Sequence, residues 1–454
     1  MKGTQAQVAK LMKVLCALVF GTVWMPAAPQ TSVQPKKMTN MGYLDNGKIR
    51  IGVNLEFGGA ITFLATSGSD ENLINSYDYG RQIQMSNYCG PNPFTPNGKQ
   101  PHKEWAALGW NPIQCGDCYG NHSRILDYKN DGKSIYVRCI PMQWPLNNEP
   151  GECTFECWIK LRGNTAEVRS RLNNHRSDTT QYPACGQELP AVYTNGPWYR
   201  LMTYSGDQPF TGGELTQVPA KFPWSGFQAT ESWAALVNDA GRGVGIWEPG
   251  VTTFIGGFFG EIGKGGPSDP PTGYIAPLGV DILDHNIMYE YRYVLIVGSL
   301  EEIRRKVYAQ HREDAPPSYR FKKDRQGWYY ANATDTGWPI RGELKVLLDA
   351  DNPQMIGPTG FWKADGAAKL KIEAAYRTQQ TQARVFWKRS DKPEFDKARS
   401  VSFAIIPDGK YHTYIVDLAA SPEYRGAITG LRLDPVVSGG KGDLVRVRSI
   451  SLCR

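Results

Sequence analysis

The sequence has no basic run, no glycine-rich phosphate loop or dinucleotide fingerprint, and no Gly-x-Ser-x-Gly elbow. Nucleic-acid recognition would normally show a basic stripe, so it is not expected. Nucleotide-dependent and serine-hydrolase chemistries lose their usual signatures. Beyond Val14–Val23, no apolar stretch nears the length that crosses a bilayer, so no membrane insertion is expected once that segment is removed. Internal repeats are absent. Histidine is scarce at six, and only His122 and His175 fall in polar settings that suggest chemistry. His285 and His311 read as structural, at a turn and a helix end.

What is abundant is turn-forming and aromatic. There are 48 glycines and 31 prolines, and aromatics make up 11% of the 454 residues. That mixture favours many short strands over long helices. The length exceeds one ordinary core and predicts two domains. Period-two alternation marks strands at Lys48–Val53, Ala60–Leu64, Ser134–Arg138, Phe155–Ile159 and Ala166–Leu172. One helix is predicted over Ser299–His311, with Ser299 as N-cap, acids in the first turn, and Leu300, Ile303 and Val307 as its apolar stripe. Ala315-Pro316-Pro317-Ser318 follows it and predicts the domain boundary.

At the N-terminus, Lys10 and Lys13 precede Val14–Val23 and a small-residue exit at Pro26-Ala27-Ala28. These are the parts of a secretory signal over residues 1–28, followed by a tether over 29–40. The expected location is therefore extracellular or periplasmic. Of the nine cysteines, Cys16 lies in the signal, and the other eight predict disulfides in an exported chain.

The segments Gly58-Gly59-Ala60-Ile61-Thr62, Asn72-Leu73-Ile74-Asn75 and Asp78-x-Gly80-Arg81-x-x-Gln84 resemble the galactose-mutarotase-like β-supersandwich, which suits residues 41–314. The resemblance implies a His acid and a Glu base on a concave sheet. Gly116–Arg124 and Cys185–Tyr193 stand where that pair would fall and do not copy it, so a simple sugar 1-epimerase is not implied. Residues 319–454 resemble the galactose-binding-like jelly rolls of secreted polysaccharide-degrading enzymes, through Gln326-Gly327-Trp328, Ala383–Trp387, Asp408–Leu418 and Gly426–Pro435. The expected fold class is all-β, a supersandwich followed by a jelly-roll sandwich. The jelly-roll resemblance admits a structural calcium; no other metal or cofactor is expected.

The expected partner is a polysaccharide or oligosaccharide, and three functions stay open. A glycoside hydrolase, ranked first, needs two carboxyl groups, and Glu188 and Asp117 sit in the least scaffold-like settings. Partial desolvation beside Leu189–Tyr193 would raise the pKa of Glu188 toward that of a general acid. A polysaccharide lyase acting on a uronate would use His175, Tyr193 and Arg176, with Asn174 and Arg176 neutralising the substrate carboxylate. A non-catalytic glycan binder needs neither set. Substrate contacts are expected from His122, Asn174, Gln187 and Trp198, and from Trp328 as a stacking ring in the second domain.

Overall fold

The computed structural model describes residues 40–312 and 316–454; the expected signal, nearly all of the tether and Ala315 of the boundary lie outside the described residues. Among the described residues the fold is all-β apart from one α-helix and short 3-10 turns. It divides into two compact units. The first takes the chain up to His175, then Cys185–Gly279 and Met288–Gln310. The second takes Arg176–Ala184, Val280–Ile287 and His311–Arg454. Among the described residues no helix is long and apolar enough to cross a membrane.

Two large sheets build the first unit. The ten-stranded sheet runs Met41–Asp45, Ile49–Asn54, Ala60–Thr66, Ile83–Ser86, Cys185–Asn195, Thr272–Asp281, Thr253–Phe259 and Ser225–Gln228, with Pro112–Ile113 and Met142–Gln143 beside the path. The nine-stranded sheet centres on Met288–Ser299, Thr165–Asn174 and Cys153–Arg162. Alternation works as the sequence suggests: in Thr165–Asn174, Ala166, Val168, Ser170, Leu172 and Asn174 are buried while their neighbours are part-exposed. The sheets approach closely at glycine. A Cβ at Gly273 would lie 2.8 Å from the Leu236 side chain of the other sheet, and one at Gly59 only 2.3 Å from Val137.

The helix spans Leu300–Gln310 and begins on a capping box. The Glu302 amide donates to Ser299 Oγ (3.2 Å), and the Ser299 amide donates to the Glu302 carboxylate (2.8 Å). Ile303 and Val307 are its buried face. Buried Glu231 then anchors the helix by accepting from Arg304 (2.8 Å) and the Tyr308 hydroxyl (2.6 Å).

The cysteines require a correction. Cys115, Cys118, Cys139, Cys153, Cys157 and Cys453 are thiols and not disulfides. Cys115, Cys139, Cys153 and Cys157 pack as small apolar side chains, and burial pushes the Cys157 thiol up to about 12. They are inert filler of the first unit.

The second unit is a sandwich of two six-stranded sheets. Leu370 and Ile372 from one sheet and Val385, Trp387, Leu431 and Leu433 from the other share its core. Trp328 is 1% exposed within that core, which corrects its reading as a stacking ring. A buried ionic clasp joins three separate stretches of chain here. Arg325 lies 2.7 Å from Asp284 and 2.7 Å from each oxygen of Asp335. Gln181 donates to both carboxylates, and the Tyr330 hydroxyl donates to Asp335. Burial pushes Asp335 up, but Arg325 together with Gln181 and the Gly337 amide offsets it and holds the carboxyl below the usual range. The clasp explains why 176–184 and 280–287 belong to this unit although they interrupt the first in sequence.

Arg325→Ala would leave two buried carboxylates without their cation. It should cost about 3–5 kcal/mol in urea unfolding of the full chain, the usual range for breaking a buried pair.

Candidate active site

The strand Cys185–Asn195 lies between Ile83–Ser86 and Thr272–Asp281. Its register places Glu188 opposite Ser86 but Ala191 opposite Gln84, so three steps on one strand match two on the other. That extra residue is a β-bulge. In an unbroken strand Glu188 and Ala191 would point to opposite faces. The bulge returns Glu188 to the face of Ala191 and Tyr193, and all three line one cavity with Gln84 and Ser86.

The cavity holds about 280 Å³, close to the lower end of ligand pockets. Glu188 is part-exposed in its wall and held from two sides. The Tyr88 hydroxyl donates to Oε2 at 3.0 Å, and the Tyr274 hydroxyl donates to Oε1. Burial pushes the Glu188 carboxyl above its ordinary value, and the two phenol donors pull only part of the way back. Tyr88 is itself fixed by Gln187, which is fully buried. Gln187 accepts from the Tyr88 amide (3.0 Å) and donates to the Tyr88 carbonyl (2.7 Å). Gln187 thus positions Tyr88 and does not face the cavity, a correction to its expected role.

Aromatic rings make up most of the remaining wall. Trp105 meets Trp144 edge-on at 5.6 Å, and Phe222 meets Trp224 edge-on at 4.9 Å. Trp224 tilts against Tyr274 at 5.0 Å, and Tyr193 lies 4.8 Å from Tyr274. Asp78 and Arg81 add an ion pair to the lining at 3.4 Å. Asp78 Oδ1 accepts from the Gly80 amide, while Arg81 also donates to Asn75 and to the Pro270 carbonyl. Asn111 Oδ1 and Trp224 Nε1, in the same walls, are enclosed without a hydrogen-bond partner.

Of the residues singled out from sequence, the cavity brings together Glu188 and Tyr193. Asp117 is fully buried elsewhere as a loop anchor: one oxygen accepts from the Tyr119 and Asn121 amides, the other from the Asn121 side chain and the Asn148 amide. His122 is exposed, its ring nitrogens 3.0 Å from the Tyr79 hydroxyl and 2.6 Å from the Glu56 carbonyl. His175 is exposed just past a strand end, where its amide donates to the Glu152 carbonyl. Asn174 is buried at that strand end. Arg176 belongs to the second unit, where it donates to the Asp178 and Thr180 carbonyls and covers the Tyr182 ring. Trp198 is 4% exposed and packs at Gly243. Among the described residues, no group of three or more His, Cys, Asp or Glu converges as a metal site.

Sequence reasoning missed Tyr88, Tyr274, Trp105, Trp144, Phe222 and Trp224 as site residues. Asp78 and Arg81 stood in a noted motif, but as a mark of fold. The cavity rings come from segments far apart in the chain, so no local spacing announces them.

No family model matches the chain, and no curated protein does. Solved structures of mutarotase-like proteins match about 57% of it. A candidate aldose 1-epimerase of Escherichia coli K12 is 15% identical, covering 57% of this chain and 99% of its own, with a TM-score of 0.39. A galactose mutarotase-like protein of Lactobacillus casei is 11% identical over 57% and 100%, with a TM-score of 0.36. A galactose mutarotase related enzyme of Lactobacillus acidophilus is 13% identical over 57% and 97%, with a TM-score of 0.34.

The raised carboxyl has a consequence for stability. A group lifted in the folded state stabilises fully below its unfolded value, near 4.5, and loses that contribution as pH rises through the folded value. Relative to the parent, Glu188→Gln should therefore gain stability between about pH 4 and pH 8, read by urea unfolding at both.

Proposed function

We propose that the first unit's cavity takes a sugar ring of a polysaccharide or oligosaccharide, and that Glu188 is the general acid of a glycoside hydrolase. The observation that carries this is the clasp of Tyr88 and Tyr274 on a burial-raised carboxyl inside an aromatic-walled cavity. A raised pKa keeps the acid protonated nearer neutrality, ready to protonate a glycosidic oxygen. The two hydroxyls then donate to the carboxylate that remains. Aromatic faces suit the C–H face of a pyranose, and their edges exclude water from the bond being broken.

Hydrolysis needs a second carboxyl, and Asp78 is the one that shares this cavity, in the place expected for Asp117. Arg81 lies 3.4 Å from it in the same wall. The lyase reading has Tyr193 in the cavity wall, but not His175, Asn174 or Arg176. One observation favours sugar binding without turnover: both Asp78 oxygens are already engaged, by the Gly80 amide and by Arg81. Export rests on the N-terminal segment alone, since the thiols add nothing to it.

On a polysaccharide panel scored for new reducing ends, Glu188→Gln and Asp78→Asn should each lower kcat by about 10²–10⁴-fold with KM little changed. Tyr88→Phe removes a donor to the carboxylate, raising the Glu188 pKa further, and should move the alkaline limb of the rate profile to higher pH. Full activity in Glu188→Gln would sink the hydrolase. Binding with no new reducing ends from the parent protein would leave the non-catalytic reading in its place.

A further inference from the structure

Charge is divided unevenly between the ends of the chain. Residues 316–454 carry 23 Lys and Arg against 15 Asp and Glu, a net +8, whereas the whole chain carries +7, so the remainder is −1. The basic residues do not form a run in sequence, but the fold gathers several on one outward sheet face. Strand pairing sets Lys345 opposite Arg446, and Arg320 opposite Ser449. Ser451, two residues further along that central strand, is opposite Lys371. Alternation sends Lys345, Lys371, Arg446 and Arg448 outward, while Val346, Ile372, Val445 and Val447 point into the core.

One aromatic ring sits within this face. Tyr411, on the edge strand Tyr411–Asp417, has the Arg448 guanidinium 3.6 Å and the Arg446 guanidinium 4.8 Å from its ring centre. Glu373 takes up part of Arg448 at 3.1 Å. Lys345, Lys371 and Arg320 are exposed and form no ion pair among the described residues. With strands about 4.8 Å apart, the row from Lys345 to Tyr411 crosses four strands and about 14 Å.

We infer that this face of the second unit binds an anionic polysaccharide, one bearing repeated carboxylate or sulfate groups. A single exposed cation contributes under about 1 kcal/mol to any one contact. A polymer meets many of them at once, so the weak contacts reinforce one another. The chemistry also separates this partner from nucleic acid. The face is the outside of a sheet with one ring among the described residues, offering neither an element to enter a groove nor a series of stacking platforms. Its serines supply hydroxyl partners for sugar hydroxyls between the cations. This site is separate from the Glu188 cavity and does not depend on the hydrolase reading.

The test uses the full chain, titrated with polygalacturonate, heparin, a neutral glucan and duplex DNA. At least one of the two anionic polysaccharides should bind more tightly than the neutral glucan, and which anion binds more tightly assigns carboxylate or sulfate. Affinity should fall about tenfold or more between 50 and 200 mM salt. The double variant Lys345→Ser/Lys371→Ser, and separately Arg448→Ser, should each weaken binding by about tenfold, while Lys160→Ser, an exposed cation of the first unit, binds as the parent does. Unweakened binding by the double-lysine variant, equal binding of the neutral glucan, binding of neither polyanion, or displacement by DNA at equal charge concentration would each overturn the inference.

Discussion

The site depends on one extra residue in one strand. Without the bulge between Glu188 and Ala191, the carboxyl would point away from the cavity that Ala191 and Tyr193 line. With it, consecutive residues do complementary work on the same neighbour. Gln187 fixes the Tyr88 backbone and Glu188 accepts the Tyr88 hydroxyl. A carboxyl so placed cannot reach bulk water freely, and its raised pKa follows from that geometry. Rigid strands on both sides set its position, and rigid placement is what proton transfer needs.

The second unit depends on a different constraint. Arg325 is a buried cation shared by two buried carboxylates, and those carboxylates come from opposite sides of the helix in sequence. Such a triad is a costly way to gain stability, since each charge must leave water. It does, however, specify which chain segments belong together, because any other partner for Asp284 would leave Arg325 or Asp335 unmatched. The outer surface of that unit is governed by charge rather than by packing, and its net positive balance lies in contrast to the near-neutral remainder of the chain.

Local patterns carried much of the architecture. The alternation of Ala166–Leu172 and Ser134–Arg138 reads directly as strands, and Ser299 with Glu302 three residues on reads as a helix start. These succeed because side-chain period and capping are short-range. Glu188 was legible for a similar reason, as a carboxyl beside an apolar strand. Its partners were not. Tyr274 lies 86 residues away, and only sheet pairing brings its hydroxyl to Glu188. Asp117 misled because a carboxylate in a Gly-Asp-Cys-Tyr-Gly-Asn loop has the same residues whether it awaits a substrate or, as here, ties its own loop. Six of the cysteines misled because an even count says nothing of spacing in three dimensions. Trp328 misled because a tryptophan in a jelly-roll segment reads alike whether it stacks on a sugar or fills the core.

The account stands or falls on the ionisation of Glu188 within its cavity. The direct measurement is a carboxyl ¹³C NMR titration of Glu188 in the full chain, with and without a saturating sugar oligomer. The account predicts a midpoint above the ordinary glutamate value that moves when the sugar is bound. An ordinary midpoint, indifferent to sugar, would contradict it.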